Sequence, residues 1–306
     1  MNKKALRGSL CLLLGAFIWG CAFVAQRMGM DHVGPFTFNA ARGFIGGLTL
    51  LPFIAMRDSR AKRRGEQPPT AKERRLQTIA GICAGFALFV PATLQQVGLQ
   101  TTSAGKAGFI TAMYIVVVPI LSMVFGKRAG LNVWISVALA VAGLYFLCMT
   151  ERLTIVVGDA VTLVSVVFWA VQIMAVDYFA PRVDCIKMSC VSFFISGLLS
   201  MIAMFIFEQP SLGALWDCII PLLYTGVLSS GVGFTLQAVG QKDVSPTVAA
   251  VIMSLESVFA ALAGFVIQLD RFTARELLGF ALMLTAVILA QIPFARKQAA
   301  KTPAAQ

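Results

Sequence analysis

Ten apolar stretches divide this chain into two halves, and the halves look like copies of each other. A membrane span needs ~20 mostly apolar residues. The candidate spans are 9–27, 36–56, 79–98, 105–126, 131–149, 156–180, 188–207, 218–240, 246–268 and 277–294. The best-matched window runs from Leu94 to Ile110 and aligns without gaps on Leu236 to Ile252. Seven of its 17 positions are identical, among them Leu94/Leu236, Gln95/Gln237, Gly98/Gly240 and Ser103/Ser245. The first copy occupies residues 1–150 and the second 151–306. An odd number of spans per copy forces the second copy into the membrane upside down. The expected fold is therefore an all-α integral membrane protein of ten transmembrane helices, built as two inverted five-helix repeats. Its substrate path belongs at the repeat interface, near the bilayer midplane.

Composition agrees. The chain is 58% hydrophobic and only 13% charged, where a soluble domain has about 25% charged residues. The runs are longer and more continuous than the ~10 alternating residues of a barrel strand. A net charge of +11 invites a nucleic-acid reading, but its distribution argues otherwise. With the N-terminus inside, the cytoplasmic segments hold 19 of the 25 Lys and Arg, eight of them between Arg57 and Arg75. That is the positive-inside pattern, so the excess reports topology. It places both termini on the cytoplasmic side of a multi-pass protein of the cell's inner membrane. The basic 57–78 connection reads as a solvated loop that can also touch anionic lipid heads.

The first span has the basic start of a signal peptide, but Trp19 is too bulky for a cleavage site and removal would break the five-plus-five count. It reads as a retained helix. The seven cysteines include no C-x-x-C pair, and His32 is the only histidine, so neither a zinc site nor a disulfide framework is expected. No P-loop is present and no cofactor is expected.

Two segments carry a family resemblance. Lys106-Ala107-Gly108-Phe109-Ile110-Thr111-Ala112-Met113-Tyr114, with Pro119 following, resembles the fourth span of EamA-type members of the drug/metabolite transporter superfamily. Ser245-Pro246-Thr247 and then Ser254-Leu255-Glu256-Ser257-Val258-Phe259 resemble the ninth. Two departures stand out. Ser257 occupies a place where the family often has proline, and the glycine-glutamate pair usual after spans four and nine reads Gly126-Lys127-Arg128 and Leu269-Asp270-Arg271 here. The resemblance implies ten spans around a central cavity lined by span nine, and transport of small molecules that range from amino acids to drugs, nucleotide-type metabolites and sugars.

Glu256 is the sharpest single residue, in the middle of span nine. A charged side chain at that depth costs ~2.5–3.5 kcal/mol on insertion scales, and protonation lowers the cost. The position suits proton coupling or a cation contact; the alternative is a structural carboxylate hydrogen-bonded to freed backbone. Its repeat mate is Tyr114, a cavity phenol or a packing aromatic. Arg42, with Asn39, makes a polar spot in span two that suits a substrate carboxylate or Glu256, unless it snorkels to the interface. Lys106 and Arg27 read as interfacial. Trp19, Phe23 and Gln26 fall at i, i+4 and i+7, as do Ser165, Trp169 and Gln172, so each repeat-start helix puts a tryptophan and a glutamine on one face. Such a face can stack on a ring or an ammonium group. Gln95, Gln96 and Gln237 are amides that need partners, from a wet cavity or from neighbouring helices. Asp159 suits the N-terminal dipole of span six.

The leading functional expectation is a secondary transporter exporting small metabolites, amino acids or drug-like compounds by alternating access, with membrane lipid and a small-molecule substrate as its partners. A lipid-linked sugar flippase and a non-transporting channel or scaffold are the alternatives. An intramembrane enzyme needs paired acids, a metal box or a nucleophile–base set, and none is apparent.

Overall fold

Helix is the only regular structure among the described residues of the computed structural model, which are 3–126, 129–148, 156–268 and 273–292. In the first half these are α1 (Lys3–Gly29), α2 (Pro35–Arg63), α3 (Ala71–Gly98), α4 (Ala104–Ala112), α5 (Tyr114–Val124) and α6 (Leu131–Cys148). The second half has α7 (Val157–Phe179), α8 (Cys185–Phe207), α9 (Leu212–Asp217), α10 (Ile219–Leu223), a π-helical segment (Tyr224–Phe234), α11 (Thr235–Gly240), α12 (Pro246–Met253), α13 (Glu256–Gln268) and α14 (Ala274–Gln291). Seven helical stretches are long and apolar enough to cross a membrane, with Ala104–Val124 and Ile219–Gly240 each taken as one, and three shorter apolar helices accompany them.

Local chemistry sets the ends. Pro35 opens α2, where its missing N–H costs nothing. The next donors, the N–H groups of Phe36 and Thr37 and the Thr37 hydroxyl, all give hydrogen bonds to the Glu208 carboxylate (2.9, 2.8 and 2.6 Å). At α3 a capping box forms. The Glu73 N–H donates to the Thr70 hydroxyl and the Thr70 N–H donates to the Glu73 carboxylate. The Thr70 N–H holds the Glu73 carboxyl below the usual carboxylate range.

The connection expected over 57–78 is mostly helix. α2 runs on to Arg63 and α3 starts at Ala71, which leaves only 64–70 between them. Ala, Arg, Lys and Gln are strong helix formers, so the basic composition extends both helices past the apolar segment. Gly65, at φ +71°, and the Pro68-Pro69 pair make the turn. Three spans are interrupted rather than straight. Span four breaks at Met113, span nine at Ser254–Leu255, and span eight passes through eleven π-helical residues. Lys127, Arg128, Leu269, Asp270 and Arg271 lie outside the described residues, as do the extreme termini.

Packing partners are reciprocal between the halves. α1 lies against α11, the π segment, α12 and α13; α7 lies against α3, α4 and α5. α2 packs on the π segment as α8 packs on α3, while α2 pairs with α8 and α6 with α14. Large apolar side chains are turned outward, as with Leu10, Leu14 and Phe17 on α1 and Leu163, Val167 and Val171 on α7. Amides, hydroxyls and Arg42 are buried inside. These polar groups sit beside an extensive apolar core, and sheltering them there is what a lipid solvent selects, since lipid tails offer polar groups no partner.

Candidate functional site

A cavity lies between the two halves. α1 contributes Trp19, Phe23 and Gln26; α2 contributes Arg42; α3 and α4 contribute Gln95 and Thr111; α5 contributes Tyr114. From the second half come Trp169, Gln172 and Ile173 of α7, Ser229, Phe234 and Gln237 of span eight, and Met253 and Glu256 at the break in span nine. Among the described residues, none of α6 or α14 lines it. Of the residues singled out from sequence for the cavity face, Gln96 and Ser165 do not line it, and neither does Asn39. Asn39 lines a small adjoining cavity that Arg42 and Phe234 share, and its amide donates to the Ala92 carbonyl (3.2 Å).

The two breaks fall at matching places. Met113 and Leu255 hold the same register position in their repeats, and Tyr114 and Glu256 each begin the half-helix that follows. Around both, bonds tighten to i→i−3: the Met113 N–H donates to the Ile110 carbonyl (3.1 Å) and the Leu255 N–H to Ile252 (3.2 Å). The backbone stays helical through both breaks, and beyond them the Val116 N–H donates to the Met113 carbonyl (3.0 Å) and the Ser257 N–H to the Ser254 carbonyl (3.2 Å). Glu256 is 5% exposed, and the Tyr114 hydroxyl donates to its Oε1 at 3.2 Å. The Ser257 hydroxyl donates to the Gly108 carbonyl (3.1 Å). Proline cannot make that contact, so the departure at 257 ties α13 to α4. α1 crosses this point closely, with Gly20 against the Glu256 carbonyl.

Arg42 is 7% exposed and therefore does not snorkel. It donates to the Gln26 side-chain carbonyl at 2.8 Å and forms no ion pair with Glu256 within 4.0 Å. The cavity thus holds one cation and one carboxylate, each bonded to a neutral neighbour rather than to the other. Gln26 in turn donates to the Ala22 carbonyl, and Gln96 reaches the Gln26 carbonyl oxygen. Gln95 donates to the Thr111 hydroxyl (2.9 Å), and Gln172 and Gln237 bond one another reciprocally (3.4 and 3.1 Å). Gln26, Gln95, Gln172 and Gln237 keep these bonds and still face the cavity, whereas Gln96 does not line it and its Oε1 has no hydrogen-bond partner.

The tryptophans flank Phe234. Ring centroids are 4.7 Å apart for Trp19–Phe234 and 6.0 Å for Trp169–Phe234, the latter pair stacked at 13°. Trp19 Nε1 donates to the Ser229 carbonyl (3.2 Å). Trp169, 8% exposed, keeps an Nε1–H without a protein acceptor. Sequence reasoning passed over Phe234, Thr111, Ser229, Ile173 and Met253. Phe234 is one of 23 phenylalanines, and only its place at the end of the π segment distinguishes it. Such segments recur at functional sites. Lys106 and Asp159, read as an interfacial cation and a dipole partner, are in contact: Lys106 Nζ lies 2.5 Å from Asp159 Oδ2.

Comparison with known proteins gives the same identity twice along the chain. The profile of the EamA-like transporter family matches residues 6–149 and again 156–291. An uncharacterized transporter of Archaeoglobus fulgidus is 31% identical over 94% of this chain and 87% of its own length. The uncharacterized transporter YoaV of Bacillus subtilis is 22% identical over 96% and 99%. A chloroplastic WAT1-related protein of Arabidopsis thaliana is 29% identical over 90% of this chain and 67% of its own. A solved crystal structure superposes with a TM-score of 0.73 at 18% identity, covering 93% of this chain and 96% of the other, which shows the shared fold. The chain is a multi-pass membrane protein of the EamA-like transporter family, within the drug/metabolite transporter superfamily.

Proposed function

We propose that this protein is a secondary carrier that exports small polar or amphipathic metabolites, amino-acid-like or drug-like, across the cytoplasmic membrane by alternating access. Both termini face the cytoplasm, as the basic residues direct. Ten spans form two copies inverted relative to one another, and the reciprocal packing supports that arrangement. The observation that carries the reading is the cavity between the copies, where a buried carboxylate sits at the break of a discontinuous helix. Discontinuous helices at the repeat interface are how such carriers expose backbone dipoles to solute and coupling ion.

Each group has a role. Arg42 holds an anionic group of the solute, and the Trp169 N–H supplies a further donor. Trp19, Phe234 and Trp169 face its apolar part. Gln26, Gln95, Gln172 and Gln237 complete a polar lining, with Asn39 bracing α2 against α3 behind Arg42. Glu256 exchanges a proton, or the cationic part of the solute, in the hydrogen bond to Tyr114.

The test is a metabolite export screen comparing cells that express the wild type with cells that express Glu256→Gln. Neutralisation removes the cost of a buried charge, so the variant stays folded while export, or its pH dependence, falls. Wild-type export by Glu256→Gln from mildly acidic to mildly alkaline pH would show Glu256 to be structural. Counterflow of labelled solute separates a carrier from a channel or scaffold, and its absence alongside movement of lipid-linked sugars would favour a flippase.

A further inference from the structure

One helical turn beyond the cavity residues Gln95 and Gln237, at opposite ends, lie equivalent helix crossings of different chemistry. At one end α3 meets α7 through Gly98 and Gly158. A Cβ on Gly98 would lie 2.9 Å from the Gly158 carbonyl oxygen, and one on Gly158 would lie 2.5 Å from that of Gly98. At the other end α1 meets α11 through Gly8 and Gly240, at 2.8 Å in both directions. Gly8 and Gly158 are repeat mates, as are Gly98 and Gly240, so the two crossings are copies of one contact. Around Gly98–Gly158 the closure is ionic. Lys106 Nζ lies 2.5 Å from Asp159 Oδ2, the Thr102 hydroxyl donates to Asp159 Oδ1 (3.0 Å), and the Val156 N–H donates to Oδ2 (2.9 Å). The mates of Asp159, Lys106 and Thr102 around Gly8–Gly240 are Ser9, Val248 and Val244, which cannot form an ion pair. Val244 packs there directly onto Gly8.

We propose that Lys106 and Asp159 form the outer latch of the transport cycle. This contact between the repeats must break for the cavity to open outward. The proposal rests on the alternating-access reading above. Its chemistry is reversible because opening returns both charges to water. The two partners are also unequal. The Asp159 side chain is 6% exposed and that of Lys106 is 23%. Removing the lysine therefore leaves a buried carboxylate with only the neutral Thr102 and Val156 donors in the closed state, and removing the aspartate leaves an ammonium that already reaches solvent. Stranding one member of a buried pair is the costly change. Lys106→Gln should favour the outward-open state strongly, Asp159→Asn weakly, and the double variant should return close to wild type.

The test uses the full chain in right-side-out vesicles, with its native cysteines replaced and Thr111→Cys placed in the cavity wall. A membrane-impermeant maleimide added outside should label Lys106→Gln severalfold faster than its parent, and adding Asp159→Asn should restore the parental rate. Hydrogen exchange on the chain with native cysteines provides a second measurement, in which Lys106→Gln should speed exchange across 98–106 and 156–162 selectively. Unchanged labelling and exchange in Lys106→Gln, or a double variant as fast as the single one, would overturn the latch. Labelling needs no substrate. Flat labelling with intact export refutes the latch alone, and shifted labelling without export of any solute refutes the carrier reading alone.

Discussion

The crossing of α1 over the start of α13 can be tested with one methyl group and an internal control. A Cβ on Gly20 would lie 2.6 Å from the Glu256 carbonyl oxygen, 2.6 Å from Phe259 Cβ and 2.8 Å from the Ala260 nitrogen. Carbon–oxygen contacts normally close to about 3.3–3.6 Å and carbon–carbon contacts to about 3.5–4.0 Å. Gly20→Ala therefore forces the helices apart by roughly 1 Å, because two of the three obstacles are backbone atoms. Overpacking of this kind costs about 1–3 kcal/mol. Gly15 is five residues earlier on the same helix, and its added methyl would meet only the Gly233 carbonyl oxygen at 3.5 Å, an ordinary contact. Both substitutions gain about 1 kcal/mol of helix propensity. That gain cancels in the comparison, so the difference between the variants isolates the crossing. Detergent-denaturation titrations should place Gly15→Ala at or above wild type and Gly20→Ala about 1–3 kcal/mol below Gly15→Ala. Export by Gly20→Ala should also fall, because Glu256 moves with α13. Equal stability of the two alanine variants would refute the crossing as described.

Other expectations follow from single contacts. Tyr114→Phe removes the hydroxyl that donates to Glu256; a hydrogen bond to a charged group contributes about 1.5–3 kcal/mol, so the pH profile of export should shift while expression holds. Glu208→Gln weakens, and Glu208→Ala abolishes, the cap on α2, with an expected loss of about 1–2 kcal/mol for the alanine variant in denaturation titrations; no difference between the two variants would remove the cap from the account. Gln67→Cys, in the turn between α2 and α3, should resist impermeant reagent in intact cells and react in inside-out vesicles, and labelling in intact cells would invert the proposed orientation.

Much of this was legible because lipid makes sequence patterns coarse and long. Apolar runs gave the helices, and the duplicated window paired Tyr114 with Glu256. The i, i+4, i+7 pattern put Trp19 and Gln26, and Trp169 and Gln172, on the faces that meet the cavity. The helix breaks were illegible. Neither Ala112-Met113-Tyr114 nor Ser254-Leu255-Glu256 contains the proline or glycine that usually announces one. Breaks of this kind depend on neighbouring helices accepting the freed backbone groups, which is a tertiary property. The same holds for Lys106 and Asp159, 53 residues apart. Each is intelligible alone at a helix end, and only the crossing at Gly98–Gly158 makes them partners. Asn39, one turn from Arg42, lines only the adjoining cavity while Arg42 lines both, a difference that a polar patch on one helix does not reveal.

Tyr114 and Glu256 occupy one position in two copies of the same unit, and they touch. A residue that meets its own copy in an assembly of identical chains must be complementary to itself. Two glutamates there would repel or share a proton, and two tyrosines would offer no anion. Joining the copies in one polypeptide lifts that constraint. One side can specialise as donor and the other as acceptor, and a single titratable carboxylate then serves a site approached from either half. A phenol facing a carboxylate at equivalent positions is open to a duplicated chain whose copies have stopped being the same.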